Sequence, residues 1–589
     1  MNPQARRPRR ARSSGVLGTP LRRLAAIAAA FVSAYGAFAI AGTSMGAMAH
    51  PLARTSASGA GCNQAALSAA LSLPGMTVTG AVENTTGSAP NPPGPALTGL
   101  PNYCQVTLTQ LDSSGNPISI WLWLPDNWNG RFQGVGGAVF ECGPEFASLA
   151  QGIAAGYATA TTDCGVPPAD LLTGLPWALS GAGGTYNTAL IDDFAYNGIH
   201  QMTVDGQALT KAYYGAAAAF SYWNGCSTGG REGLMEAQMF PSDYNGILVG
   251  APAINWTKFI PSELWPEIVM SQSNDFLPSC KEQAFTDAVI EACGGIDGVI
   301  QDPGDCNWNP MDLVGLVTPC GVITATDAQV VEKIWQGPNV NGQQLWYGLE
   351  PGTSFSGLAG TSTTGSVTTG VGFPIATAWL GNWVPQNATQ NPFAPWWTSM
   401  TYSQFAMLFA DSVSNSTINV LATDNPNLSQ FEKDGGKLIV WHGLADQLIF
   451  PQGTINYYNR VQATMGVWNT DSFARLFLAP GAAHCGAANG PAPGVSYSYP
   501  DVASPLPDLV NWVEHGVAPL SIEAIKQDAT TNVITESRPL CAYPLQAAYN
   551  GFGNPNEASS YHCTGFVPFA GARYGMRRHD ARREAARRT

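Results

Sequence analysis

The chain has 589 residues, 45% of them hydrophobic and only 12% charged. That is too apolar for a disordered chain and long enough for one large domain with an insertion, or for two domains. Residues 50–572 hold 13 Lys and Arg against 39 Asp and Glu, and a body this acidic excludes nucleic acid as a partner.

The first 23 residues carry seven Arg, followed by the apolar run "LAAIAAAFVSAYGAFAIAG" and the small-residue pattern Ala47-Met48-Ala49. Residues 1–49 therefore read as a signal peptide cleaved before His50, with an uncleaved membrane anchor as the alternative. No later segment is long and apolar enough to span a bilayer, so a secreted, extracellular protein with no membrane span after cleavage is expected. "WLWLPDNWNGRFQGVGG" reads as a strand, a turn and a second strand running into the glycines Gly134, Gly136 and Gly137. "GYATATTDCG" is another short strand, and "NGIHQMTVDGQALTKAYYG" has helical spacing up to Gly215. "AAFSYWNG" predicts a strand, "REGLMEAQMFP" a helix stopped by Pro241, and "YNGILVGAPA" a buried strand. The alternation predicts an α/β fold with a mostly parallel sheet. From residue 255 to residue 430 it is lost among polar, Gly/Ser/Thr-rich stretches and a dense group of cysteines, which reads as an inserted lid domain. It returns in "GGKLIVWHGLADQLIFP" and "FARLFLAPGAAHCG". The core domain is thus expected over 50–254 and 431–565. The last residues, 566–589, with seven more Arg, read as a solvated basic tail.

Gly225-Cys226-Ser227-Thr228-Gly229 fits G-x-S-x-G between a predicted strand and a predicted helix. A serine on so sharp a turn needs small neighbours if its hydroxyl is to project above the sheet. A hydroxyl is a poor nucleophile without a base held by a third group. In the chain order serine, acid, histidine of α/β-hydrolases, Asp446 and His484 follow strands and can converge on Ser227. Among rivals, His442 lies inside a strand and reads as a packed core residue. His200 and His515 lie in helical patterns, and Asp471 and Asp501 have no strand before them. Cys226 precedes the serine and Cys485 follows the histidine. If Ser227 and His484 meet, a Cys226–Cys485 disulfide can form and fix their separation. Twelve cysteines in an exported chain read as disulfides, and the absence of any C-x-x-C pair argues against zinc.

These motifs, "GCSTGGREG", "HGLADQLI" and "AHCG", with "WNGRFQGVGG", "YYG", "YNGILVGAPA" and "DGVIQDP", resemble the tannase and feruloyl esterase family over about residues 60–565. The resemblance implies a secreted serine carboxylesterase with an α/β-hydrolase core and a large lid. It implies Ser227 as nucleophile, Asp446 as orienting acid and His484 as general base and acid. It further implies an oxyanion hole made by the backbone N–H of Thr228 and of Gly136 or Gly137. A non-catalytic secreted binding protein of the same fold is the contrasting reading. Family members usually carry a lid calcium loop resembling "CDxxDGxxDGVI". Here the run is "CGGIDGVIQDPGDC", one DG unit short, with Asp297, Asp302 and Asp305 remaining, which argues against bound calcium. No cofactor is needed for the chemistry. A Cys293–Cys306 bridge would close the shortened loop, and the same resemblance implies Cys62–Cys104 and Cys541–Cys563. Cys142 with Cys164 and Cys280 with Cys320 remain, their pairing open.

For substrate, no arginine occurs between Arg231 and Arg460, and lysines there are few: Lys258, Lys281, Lys333, Lys433 and Lys437. A free carboxylate would favour an arginine clamp. The lid is instead rich in aromatics, Trp346, Tyr347, Phe373, Trp379, Trp383, Trp396 and Trp397, half of them expected as lid core. Feruloyl, coumaroyl or galloyl esters, small or linked to plant polysaccharides or polyphenols, therefore rank above mono(2-hydroxyethyl) terephthalate, whose hydrolase belongs to the same family.

Overall fold

The computed structural model describes residues 59–71, 73–167, 172–181, 183–294, 299–486, 505–527 and 533–565. The expected signal peptide (1–49) and basic tail (566–589), together with Asp297 and Asp501, lie outside the described residues. Nine strands form the central sheet: β1 Met76–Asn84, β2 Tyr103–Leu111, β3 Pro117–Pro125, β4 Arg131–Val135, β5 Ala158–Thr162, β6 Phe220–Cys226, β7 Gly246–Gly250, β8 Lys437–Gly443 and β9 Ala474–Ala479. Their spatial order is β1-β2-β3-β5-β4-β6-β7-β8-β9. Pairings from β1 to β5 are antiparallel, and those from β5 through β9 are parallel. This is an α/β-hydrolase core. The sequence reading did not extend to β1 and β2, which make the antiparallel edge.

The parallel strands are buried on both faces, which is why they read as continuous apolar runs. Side chains alternate between two cores. Trp223, Ile247, Val249, Leu438, Val440 and Leu476 join the larger one. Tyr222, Leu248, Ile439, Trp441 and Phe477 join a second, closed by Leu509 and Trp512. Helix α1 (Gly198–Tyr214) packs Met202 and Leu209 into the larger core and ends at Gly215, whose φ of 74° suits a residue without a Cβ. Helix α2 (Thr228–Met239) starts three residues earlier than "REGLMEAQMFP" suggested, immediately after Ser227.

Between β7 and β8 the chain leaves the sheet and returns to pair in register beside it. The longer regular elements of this excursion are helices, α3 Trp256–Glu263, α4 Trp265–Ser273, α5 Ser279–Cys293, α6 Ala325–Gln336 and α7 Tyr402–Ser414. Only short hairpins, such as Thr361–Thr364 with Val367–Gly370, come from its Thr/Gly-rich stretch. Helices α3 and α4 escaped a periodicity reading because they are buried nearly all round, and long loops separate α5, α6 and α7. The disulfides are Cys62–Cys104, Cys142–Cys164, Cys226–Cys485, Cys280–Cys320, Cys293–Cys306 and Cys541–Cys563, so no cysteine is free.

Candidate active site

Ser227 sits between the end of β6 and the start of α2 with φ 59° and ψ −122°, a strained conformation for a residue with a side chain. The neighbouring chain makes the turn possible. A Cβ on Gly225 would lie 2.5 Å from the carbonyl oxygen of Gly229. The turn is pinned by the Ser227 N–H donating to Gly250 O at 3.0 Å, and by Ser227 O accepting from the N–H of Arg231 and of Ala253.

Asp446 lies in the loop after β8 and His484 in the loop after β9. Backbone bonds tie the two loops together, Leu444 N–H to Ala479 O and Ala445 N–H to Ala482 O. His484 Nδ1 is 2.8 Å from Asp446 Oδ2, and its backbone N–H donates to Gln447 Oε1 at 3.1 Å. Asp446 is buried, and its Oδ1 accepts from the N–H groups of Leu448 and Ile449, both at 2.9 Å. Burial by itself would raise the Asp446 pKa. The charge of His484 and hydrogen bonds from His442 and His484 outweigh it and hold the carboxyl well below the usual carboxylate range.

His442 does more than fill the core. Its Nε2 lies 3.1 Å from Asp446 Oδ2 and 3.0 Å from Ile449 O, while Nδ1 lies 2.8 Å from Thr454 Oγ1. Two acceptors at Nε2 place the proton there, leaving Nδ1 to accept from the threonine hydroxyl. His442 therefore acts as a second clamp on Asp446. The signal in the sequence was its position four residues before Asp446, which a reading of β8 as core alone discards.

Ser227 and His484 line one cavity with Thr228, Ala138, Leu448 and Ile449. Among the described residues no hydrogen bond joins Ser227 Oγ to the His484 ring, and such catalytic bonds tighten when substrate binds. Cys226 and Cys485 are bonded, with Cα atoms 5.9 Å apart, so the residues flanking the serine and the histidine are covalently joined across 259 positions of sequence. His200 instead pairs with Asp243 at 2.7 Å, His515 ends a helix, and Asp471 pairs with Arg475, so none of these rivals lines the cavity.

Of the expected oxyanion donors Thr228, Gly136 and Gly137, the two glycines have their N–H groups engaged elsewhere. The Gly137 N–H donates to Glu232 Oε2 at 2.9 Å, and the Gly136 N–H continues the β4–β6 ladder to Asn224 O at 3.4 Å. Both glycines are needed for close approach: a Cβ on Gly136 would meet Glu232 Oε2 at 2.4 Å and Gly229 Cα at 2.5 Å. Among the described residues the N–H groups of Thr228 and Ala138 have no partner, and both residues line the cavity beside Ser227. Glu232, buried in α2, is the unforeseen residue that takes up the Gly137 donor; burial pushes its pKa up to about 8.

The remaining lining is aromatic and acidic. Phe146, Trp256, Phe259 and Phe373 form apolar walls. Of the lid aromatics singled out above, Phe373 alone lines the cavity. Trp379, Trp383 and Trp397 are buried in the excursion between β7 and β8, with the Trp379 indole N–H on Ser412 Oγ and that of Trp383 on Thr173 O, both at 2.8 Å. Glu141, Glu145 and Glu263 face the cavity, and no lysine or arginine lines it among the described residues. Burial pushes the Glu141 pKa up to about 7; burial, with the charge of Glu141 added, pushes Glu145 up to about 8. Burial and then the Asp446 charge raise Glu263 well above the ordinary value.

Residues 104–564 match the family model described as "Tannase and feruloyl esterase". A "Probable feruloyl esterase" of Arthroderma benhamiae is 38% identical over 499 residues, covering 82% of this chain and 89% of that protein. A "Probable feruloyl esterase B-2" of Aspergillus terreus is 29% identical over 482 residues, covering 78% and 86%. The structure of feruloyl esterase B from Aspergillus oryzae superposes with a TM-score of 0.70 at 26% identity, covering 85% of this chain and all of that one. Tannin acyl hydrolase from Aspergillus niger shares the fold, with a TM-score of 0.76 at 23% identity over 87% of this chain and 96% of that one.

Proposed function

The chain belongs to the tannase and feruloyl esterase family of carboxylic ester hydrolases, and from that premise we propose that it hydrolyses neutral esters of phenolic acids outside the cytoplasm, with Ser227, His484 and Asp446 as its triad. Ser227 Oγ attacks the ester carbonyl carbon while His484 Nε2 takes its proton. The negative oxygen of the tetrahedral intermediate accepts from the N–H groups of Thr228 and Ala138. The C–O bond to the alcohol breaks and His484 returns the proton to the leaving oxygen. Water, deprotonated by His484, then attacks the acyl carbon; the bond to Ser227 Oγ breaks, His484 returns the proton to Oγ, and the acid leaves. No step calls for a cofactor. Twelve bonded cysteines suit an oxidising compartment.

The observation that carries the substrate reading is the lining: aromatic walls with three glutamates and, among the described residues, no lysine or arginine. A terephthalate monoester would bring a carboxylate with nothing to pair it. Comparing kcat/KM for methyl ferulate, methyl gallate and mono(2-hydroxyethyl) terephthalate tests this. The phenolic esters are expected to lead by about tenfold or more, the order of one unpaired buried charge. Between pH 6 and pH 8.5, Glu141 and then Glu145 lose protons, because their pKa values lie at about 7 and about 8. The cavity becomes more negative, so discrimination against the terephthalate ester is expected to sharpen as pH rises. A preference for the terephthalate ester, or one that grows with pH, sinks the substrate reading.

The Cys226–Cys485 bond serves this chemistry by fixing the serine–imidazole separation. Replacing both cysteines with alanine is expected to lower stability by about 3–5 kcal/mol, since the bond closes a very long loop. Under conditions where the variant stays folded, kcat is expected to fall as well. Wild-type kcat in a folded double variant would show the bond to be structural only.

A further inference from the structure

Glu263 ends helix α3 and is only 2% exposed, yet it lines the cavity that holds Ser227 and His484. No described protein donor reaches its carboxyl group, and Oε2 is buried without any hydrogen-bond partner. Phe259, Ile260, Leu448 and Ile449 give the same cavity apolar lining. A leucine or methionine would suit such walls at lower cost, because a buried carboxyl group without a partner forfeits the hydrogen bonds it makes in water. Asp446, by contrast, accepts four hydrogen bonds, and of the buried carboxyl oxygens left without a partner among the described residues only that of Glu263 belongs to a residue lining the cavity. The partner missing from Glu263 is thus a group that arrives with the ligand.

The chemistry of that group follows from the surroundings. The negative charge of Asp446 lies close enough to act on Glu263, and Glu141 and Glu145 line the same cavity. An arriving anion is disfavoured. A neutral group that both donates and accepts fits a carboxyl group held among apolar walls, and on an aromatic ring bounded by Trp256, Phe259 and Phe373 that group is a phenolic hydroxyl.

We propose that Glu263 determines specificity by hydrogen-bonding a phenolic hydroxyl on the aromatic ring of the bound ester. This rests on the reading that phenolic esters are the substrates. A site built around a polar group rejects the analogue that leaves it unpaired far more strongly than a merely apolar pocket does. The test compares kcat/KM on methyl cinnamate, methyl 4-hydroxycinnamate, methyl 3,4-dihydroxycinnamate and methyl 4-methoxycinnamate for the wild type, Glu263→Gln and Glu263→Leu, with 4-nitrophenyl acetate reporting esterase activity. The wild type is expected to favour at least one hydroxylated ester over methyl cinnamate by tenfold or more. Glu263→Leu is expected to bring that ratio close to one, chiefly by losing rate on the hydroxylated ester, and Glu263→Gln to keep most of it. An unchanged ratio in Glu263→Leu overturns the proposal even if absolute rates fall. So does a wild-type ratio near one for every hydroxylated ester, which needs no variant. Failure of the wild type to turn over any of the aromatic esters, while it hydrolyses 4-nitrophenyl acetate, overturns the phenolic-ester reading and this proposal with it.

Discussion

Replacing Ser227 with alanine is expected to lower kcat on methyl ferulate by about 10⁴-fold or more. What remains is water attack helped by the oxyanion donors and by binding. KM should change little, because the serine hydroxyl makes no bond that holds the substrate in its ground state. Stability should change little too. Ser227 Oγ has no hydrogen-bond partner among the described residues, and alanine meets the same positive φ as serine at the elbow. Steady-state kinetics with a thermal melt separates the two quantities. Retained turnover in a folded Ser227→Ala protein would move the nucleophile to another side chain. Covalent labelling by a fluorophosphonate, mapped by mass spectrometry, checks the assignment independently: the wild type should be modified at Ser227 and the variant should not.

Asp446→Asn is expected to cost about 10⁴-fold in kcat through a change of tautomer rather than of shape. The Asp446 carboxylate is surrounded by donors on both sides: the backbone N–H groups of Leu448 and Ile449 at Oδ1, and the rings of His484 and His442 at Oδ2. An asparagine keeps its oxygen toward one pair and must turn its NH₂ toward the other. If it keeps the backbone pair, His484 Nδ1 faces a donor and becomes an acceptor, so the ring proton moves to Nε2. That is the nitrogen needed to take the proton of Ser227. His442 suffers the same conflict, so a loss of thermal stability is expected alongside the loss of rate. The acid limb of the wild-type rate profile should not come from Asp446, because its pKa is held well below the usual range and it stays ionised at mildly acidic pH. Near-wild-type kcat in a folded Asp446→Asn protein would remove Asp446 from the mechanism.

The amino-acid order by itself determined the features governed by local demands. Ser227 between Gly225 and Gly229 announces its turn because the chain at Gly225 approaches too closely for a Cβ and that at Gly229 leaves little room for one. β6, β7, β8 and β9 announce themselves because strands buried on both faces must be apolar throughout, and the loops after β8 and β9 carry Asp446 and His484 as a consequence of chain order. The nearness of Cys226 to Ser227, and of Cys485 to His484, made their disulfide arguable before any coordinates. Only the tertiary structure decided what depends on direction. Gly136 and Gly137 look equivalent to Ala138 as backbone donors until the ladder of β4 and the carboxylate of Glu232 claim the first two. His442 reads as core until the loop after β8 folds back and sets Asp446 against its ring. Trp379, Trp383 and Trp397 are as aromatic as Phe373, but packing buries the first three away from the cavity and leaves the last lining it. A residue's type constrains whether it can be buried or bonded. Which way it faces is set by elements hundreds of residues away, whose positions follow from the packing of the whole core.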